Sequence, residues 1–174
     1  VHEAGEDHDD PEGPEAPLLP VWTVGHSNGT LDDLIERLHG AGIKVVADVR
    51  SVPHSRFVPW FDRDALKEAL AEDGLGYVYL GGELGGRAAA AQDIRAAAEA
   101  FQAGLDRLVG GVRDHTVAVM CAEEDPSQCH RRHLLTPALE ARGCEVRHLR
   151  GDGSIVTEAE LQAEEGGEQL GLFS

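Results

Sequence analysis

Val21-Trp22-Thr23-Val24-Gly25-His26-Ser27-Asn28-Gly29-Thr30-Leu31-Asp32-Asp33-Leu34-Ile35-Glu36-Arg37-Leu38 holds the fold argument in eighteen residues. Residues 21–24 are apolar or β-branched and too few for a helix, so they read as a buried strand. Gly25 to Gly29 breaks that run. Thr30 and Asp33 then make a capping-box-like start to a segment in which Leu31, Leu34, Ile35 and Leu38 recur at helical spacing. Gly40 or Gly42 ends the helix.

The same unit recurs down the chain. Residues 43–49 read as a second strand, and a turn-rich loop over 50–61 leads to a helix capped by Asp62, with Ala65, Leu66, Ala69 and Leu70 inward. Residues 77–80 form a third strand, followed by the glycine-rich run 81–87. A helix over 93–109 turns Ile94, Ala98, Phe101, Leu105 and Leu108 inward. A fourth strand over 116–120, a loop over 121–129, a helix over 130–141 and a fifth strand over 145–149 complete the series. Strand followed by helix, four times before the last strand, predicts an α/β fold. The expectation is an open three-layer Rossmann-like sandwich with a mostly parallel five-stranded sheet, its strand order left open.

Length and charge set the boundaries. The 174 residues suit one domain, placed at 21–150, with tails on either side. The net charge of −17 is uneven: residues 1–20 hold seven acids and no Lys or Arg, and residues 151–174 hold six acids and none. That leaves 19 of the 32 acids against all 15 basic residues in between. Residues 1–20 mix acids, Pro and Gly without periodicity and are expected to be a disordered acidic tail, in which His2 and His8 are solvated. Residues 151–174 read as an acidic tail, with room for a short helix at 157–164 where Thr157 and Glu160 fit a capping box. Such a chain is repelled by DNA phosphates, so unaided non-specific DNA binding is not expected. No stretch approaches a membrane span and no secretory leader is evident, which predicts a cytoplasmic protein. Three cysteines without close spacing fit a reducing compartment.

The chain closes on Gln169-Leu170-Gly171-Leu172-Phe173-Ser174, an apolar peptide after the polar run 164–168. It resembles the Gln-Leu-x-Leu-Phe motif by which bacterial repair and replication proteins dock on the DNA polymerase sliding clamp. That resemblance implies that Leu172 and Phe173 fill a hydrophobic pocket while Gln169 supplies a polar contact to its rim; Leu170 is a further apolar residue of the partner-binding peptide. The competing reading is that the tail folds back over an apolar groove of its own domain.

Polar residues gather where a parallel sheet binds ligands, beyond the carboxyl ends of its strands. His26, Ser27 and Asn28 follow the first strand; Asp48, Arg50 and Arg56 end or follow the second. Glu83 and Arg87 follow the third, and Cys121, Glu123, Cys129, His130 and Arg131 lie after the fourth. Ser27 and Asn28 before a helix suit an anion, or simply cap the turn. His26 reads as an acid–base group or a structural hydrogen-bonder. Asp48 on an apolar strand needs a partner, which Arg50 or Arg56 can supply, either as a structural bridge or as part of a phosphate- or carboxylate-binding fork. Cys129 opens a helix beside His130 and Arg131, a setting that lowers a thiol pKa and makes it a candidate nucleophile, with Arg131 as an anion clamp. Glu83 or Glu123 reads as a general base, or as a holder of an Arg. Trp60 and Phe61 either stack on a base or seal the core. Cys144 reads as core filler. A mixed site from Cys121, Cys129 and His26 is the one metal arrangement open, and the sequence requires no cofactor.

Gly25-His26-Ser27-Asn28, Asp48-Val49-Arg50-Ser51-x-Pro53-x-Ser55-Arg56, Glu83-Leu84-Gly85-Gly86, and Cys121-x-Glu123 through Cys129-His130-Arg131 together resemble the family known as domain of unknown function 488, over about residues 21–150. The resemblance implies the fold and the site more than an activity. The leading expectation is a small enzyme acting on a nucleotide or DNA in repair or damage processing, recruited by its tail to the clamp. A non-catalytic nucleotide or modified-base sensor and a thiol- or metal-dependent enzyme on a small metabolite stay open beside it.

Overall fold

A computed structural model of the chain describes residues 16–86 and 93–171; the side chains of 130, 131 and 168–171 lie outside that description. Arg87, the tail over 1–15, and Leu172 and Phe173 also lie outside it. In chain order the elements are β1 (Leu19–Gly25), α1 (Leu31–Gly40), β2 (Val45–Asp48), α2 (Arg63–Glu72), β3 (Gly76–Tyr79), α3 (Gly81–Leu84), α4 (Ile94–Asp114), β4 (Val117–Cys121), α5 (His130–Glu140), β5 (Cys144–Leu149), β6 (Ile155–Thr157) and α6 (Glu158–Gly171). Among the described residues the sheet runs β3-β2-β4-β1-β5-β6, with the first five strands parallel and β6 antiparallel to β5.

The mostly parallel α/β sandwich is therefore as expected, with one strand more than the five anticipated. β6 is three residues long and pairs Ile155 with Leu149 and Thr157 with Arg147. A tight turn sets it up: Arg150 N–H donates to Ser154 O at 2.8 Å, Asp152 Oδ1 accepts from Ser154, and Gly153 sits at φ +84°. Two apolar residues are too short a pattern to announce a strand; the hairpin turn creates it. Residues 81–84, expected as loop, form the short α3.

Two faces cover the sheet because strand side chains alternate. On one, Leu34, Ile35 and Leu38 of α1 and Leu66 and Leu70 of α2 pack on Trp22, Val24, Val46, Ala118 and Met120. On the other, Leu84, Leu105, Leu108, Val109, Leu135 and Leu139 of α3 to α5 pack on Val21, Ala47, Val117, Val119 and Val146. Thr30 caps α1 by accepting from Asp33 N, as its sequence predicts. Asp62 starts α2 differently: its carboxylate turns away from the helix to accept from Ser55 N and to meet His54 Nδ1, both at 2.8 Å. Cys144 is buried at the start of β5, where burial pushes its thiol pKa up.

This arrangement fixes where a site can form. The connections leaving β1 and β2 pass to the α1–α2 face, while the one leaving β4, which lies between them, passes to the α5 face. Adjacent loops that part to opposite faces leave a crevice at the strand ends.

The region after residue 150, expected as an acidic tail, is instead a turn, β6 and α6 through Gly171. α6 reaches Gly171, well beyond the expected 157–164. Its inner side carries Leu161, which is buried, and Glu158, whose carboxylate meets Arg132 Nη2 at 2.8 Å and His148 Nε2 at 2.6 Å. Arg132 also donates to Glu165 Oε1 at 2.6 Å. The polar, glycine-containing run 164–168 has little helical tendency of its own. Tertiary anchoring at Glu158, Leu161 and Glu165 supplies what the local sequence lacks.

Candidate functional site

The crevice begins with a close approach between β1 and the loop after β4. His26 N–H donates to Cys121 O at 3.0 Å and Ser27 N–H to Ala122 O at 2.9 Å. Gly25 is required there: a Cβ on it would lie 1.9 Å from the Glu123 carbonyl oxygen. Gly25→Ala is expected to destabilise the chain by roughly 1–3 kcal/mol through forced backbone displacement. Gly29→Ala, whose nearest neighbour would be at 3.5 Å, is the control and should stay close to wild type in the same urea unfolding measurement. Ser27 sits at φ +51°, the one non-glycine with positive φ among the described residues. Such strain collects where a turn is over-determined around a site.

Asp48 and Arg50 form the buried centre. Arg50 Nε donates to Asp48 Oδ1 at 2.9 Å and Nη2 to Oδ2 at 2.8 Å, a fork on a fully buried carboxylate, and the Arg50 backbone N–H adds a third bond at 3.1 Å. Tyr77 hydroxyl donates to Asp48 Oδ2 at 2.5 Å. Burial, then this bond and the Asp48 charge, push the Tyr77 pKa up, so the phenol stays a donor. Tyr79 hydroxyl donates to the carbonyls of Arg50 and Ser51, which holds the loop leaving β2.

His26 takes a defined tautomer from its neighbours. Nδ1 lies 2.6 Å from the Ser27 carbonyl, an acceptor, so Nδ1 carries the proton. Nε2 then accepts from Arg50 Nη1 at 3.3 Å. The ring lies on Phe61, centroids 4.5 Å apart. His26 is thus placed as a strut between Arg50 and the β1 turn.

Of the residues singled out from sequence, the structure brings His26, Ser27, Asn28, Arg50 and Glu123 to one open cleft of about 380 Å3, with Asp48 directly beneath Arg50. Val52, His54, Ser55, Val58 and Ala122 complete its lining. Arg56 is exposed with its guanidinium over the Phe57 ring, apart from this cleft. Glu83 faces Arg107 on α4 at 3.8 Å. The glycines around Glu83 let its helix approach the chain itself: a Cβ on Gly81 would lie 2.0 Å from Arg50 O, and one on Gly85 would lie 2.3 Å from Ser51 Oγ. Cys121 and Cys129 line a second, smaller cavity on the α5 face. Phe61 is fully buried and seals the core, whereas Trp60 stays at the surface with its indole N–H bonded to Gly29 O at 2.9 Å.

Sequence reasoning missed two groups. His54 lines the cleft and is oriented by Asp62, whose pKa is lowered chiefly by the Ser55 N–H and further by His54. An imidazole backed by a carboxylate at a cleft edge is the arrangement that general acid–base chemistry uses. The sequence signal is faint, because Asp62 reads as an ordinary helix cap. The second group is Arg132, His148 and Glu158. His148 occupies a core-facing position in the alternation Cys144, Val146, His148 and meets Thr23 Oγ1 at 2.7 Å. A polar residue on the inward phase of a strand is the clue that would have found it.

Among the described residues no group of three or more His, Cys, Asp or Glu is placed to hold a metal ion, and no helix is long and apolar enough to cross a membrane. No curated protein and no solved structure matches the chain. A family model does match, over residues 30–136, a span that contains Asp48, Arg50, His54, Asp62, Cys121, Glu123 and Cys129 from the sites just described. The chain belongs to the family described as domain of unknown function DUF488.

Proposed function

We propose that this chain is an enzyme acting on a nucleotide or on DNA in repair or damage processing, brought to its substrate by a C-terminal peptide that docks on the polymerase sliding clamp. The observation that carries the reading is the open cleft of about 380 Å3 at the parting of the β1, β2 and β4 connections. That volume lies in the range of small-ligand sites. Ser27 and Asn28 present donors for a phosphate, and Arg50 adds a guanidinium whose direction Asp48 fixes. Because Asp48 balances the Arg50 charge, the cleft selects by donor geometry rather than by net charge. His54 with Asp62 supplies proton transfer, and Glu123 a second carboxylate at the same opening. Val52 and Trp60 are exposed apolar groups nearby that suit a base.

The overall charge of −17 supports the recruitment part of the reading. A chain that DNA repels gains local concentration from a tether. α6 is pinned at its root by Glu158, and the proposed docking peptide follows along the chain from residue 169.

The cleft is tested by titrating the full chain with a deoxynucleoside monophosphate while following histidine ring resonances. His54 is expected to shift saturably, and Asn28→Ala to weaken binding about tenfold. No saturable shift at millimolar nucleotide overturns the substrate class. Binding without turnover of any nucleotide or DNA substrate, unaffected by His54→Gln, marks a sensor instead. Recruitment is tested by clamp pull-down, in which a chain ending at Glu168 should lose all binding; equal capture of both chains removes the clamp from the reading.

A further inference from the structure

We infer that Cys121 and Cys129 are a redox-active dithiol, oxidised to a disulfide by a small hydroperoxide that enters the cavity they line. This goes beyond the nucleotide-directed reading and does not depend on it. The two sulfurs lie 3.5 Å apart, one at the end of β4 and the other at the N-cap of α5. The intervening loop is built to bring them together. Asp125 Oδ1 accepts from Ser127 N at 3.0 Å and from Ser127 Oγ at 2.7 Å, which closes the turn Pro126–Gln128 and returns the chain to β4. A disulfide needs sulfurs about 2.05 Å apart, so a modest rotation of two unbranched side chains completes the bond.

The cavity suits the oxidant. It holds about 30 Å3 between the sheet and α5, with both cysteines, Thr23, Thr136 and His148 among a mostly apolar lining. That volume admits one small molecule, which meets the two thiols, since Thr23 Oγ1 and His148 are bonded to each other and His148 to Glu158. A larger disulfide reagent does not fit, which favours a hydroperoxide over exchange with a bulky disulfide.

The surroundings also assign the roles. Cys129 is the N-cap residue of an eleven-residue helix, whose dipole favours a thiolate there although its side chain makes no capping bond. The Cys121 thiol donates to the Glu123 carbonyl at 3.2 Å, which favours the protonated form. The Cys129 thiolate attacks one peroxide oxygen, the O–O bond breaks, and the other oxygen leaves with a proton as alcohol or water. Cys129 is then a sulfenic acid. The Cys121 sulfur attacks Cys129, the S–S bond forms, and the sulfenic oxygen leaves as water with the proton from Cys121. Two thiols have given up two electrons and two protons, and the peroxide has taken up both.

Cys144 provides an internal control, since it begins β5 at the opposite end of the sheet and its thiol is pushed up by burial. The test is hydrogen peroxide treatment of the full chain, then alkylation, mass measurement and peptide mapping. Before alkylation the expected product is about 2 Da lighter, the mass of two hydrogens, and after alkylation in denaturant it carries a single alkyl group where the reduced chain carries one on each cysteine. It should link Cys121 to Cys129, keep Cys144 alkylatable and revert with dithiothreitol. In urea the same treatment should also yield pairs that include Cys144, because selectivity comes from the fold. Cys121→Ser should stop at a Cys129 sulfenic acid that a dimedone-type reagent traps. The proposal is overturned if native oxidation gives no 121–129 link, links Cys144 as readily, or traps sulfenic acid on Cys121 rather than Cys129. A stoichiometric thiophilic metal in the purified chain that blocks the reaction overturns it as well.

Discussion

Asp48→Ala is expected to lower stability by about 3–5 kcal/mol, the cost of leaving a buried charge without its partner. The carboxylate accepts from Arg50 Nε, Arg50 Nη2, the Arg50 backbone N–H and the Tyr77 hydroxyl, so alanine strands four donors at once. Arg50 is almost fully buried, so little of its guanidinium can turn to the water of the cleft. For a chain of this size the loss corresponds to a fall in Tm of roughly 10 °C or more. The effect is largest in the single variant, because breaking a buried pair costs more than replacing it. Asp48→Leu combined with Arg50→Met should therefore recover much of the stability. Urea unfolding of the three chains checks this. A single variant within about 1 kcal/mol of wild type would show that the pair is solvated and that the cleft floor is not rigid.

Glu158→Ala should loosen α6 by a comparable amount, again about 3–5 kcal/mol, but locally. It leaves the Nε2 of His148 without an acceptor and Arg132 with Glu165 alone. His148 Nε2 carries the proton in wild type, since its partner is a carboxylate. Backbone amides of α6 should exchange at least a hundredfold faster, while those of β1 and β4 keep their protection; equal rates for α6 in the two chains would sink the assignment. Acid should act in the same direction. Burial raises the Glu158 pKa, but bonds from Arg132, His148 and Gln162 outweigh it and hold the group below its ordinary value. Arg132 also depresses Glu165. Groups depressed in the folded state stabilise it above the unfolded carboxylate range, near pH 4.3, and that contribution fades as pH falls through the folded value. α6 protection should thus be flat from about pH 7 to 5 and fall below about pH 4, a course that NMR of the Leu161 amide can follow.

The elements were legible because each carries its own pattern. Leu31, Leu34, Ile35 and Leu38 lie at helical spacing and are inward or partly so in α1. The five residues of β4 are buried on both faces, as a short apolar run in a parallel sheet should be. β6 and the distal half of α6 were not legible, since one depends on a hairpin turn and the other on anchoring by Arg132 and His148. The site divides in the same way. His26, Asp48, Arg50 and Glu123 stood out as polar residues at strand ends, whereas His54, Tyr77 and Arg132 look ordinary in sequence and gain a role only from the partner that folding supplies.

By itself the sequence determined the α/β class, the strand–helix order and the edge of the sheet that carries the polar residues. These follow from hydrophobic periodicity, turn residues and caps, all of which act within a few residues. Only the tertiary structure decided that β4 inserts between β2 and β1, that Asp48 takes the fork of Arg50 while Arg56 stays outside, that Glu83 turns to α4, and that the thiols of Cys121 and Cys129 meet. The physical reason is that strand order and side-chain pairing depend on which faces the connecting helices cover. That choice is made by burial summed over the whole sheet, and no local pattern along the chain records it.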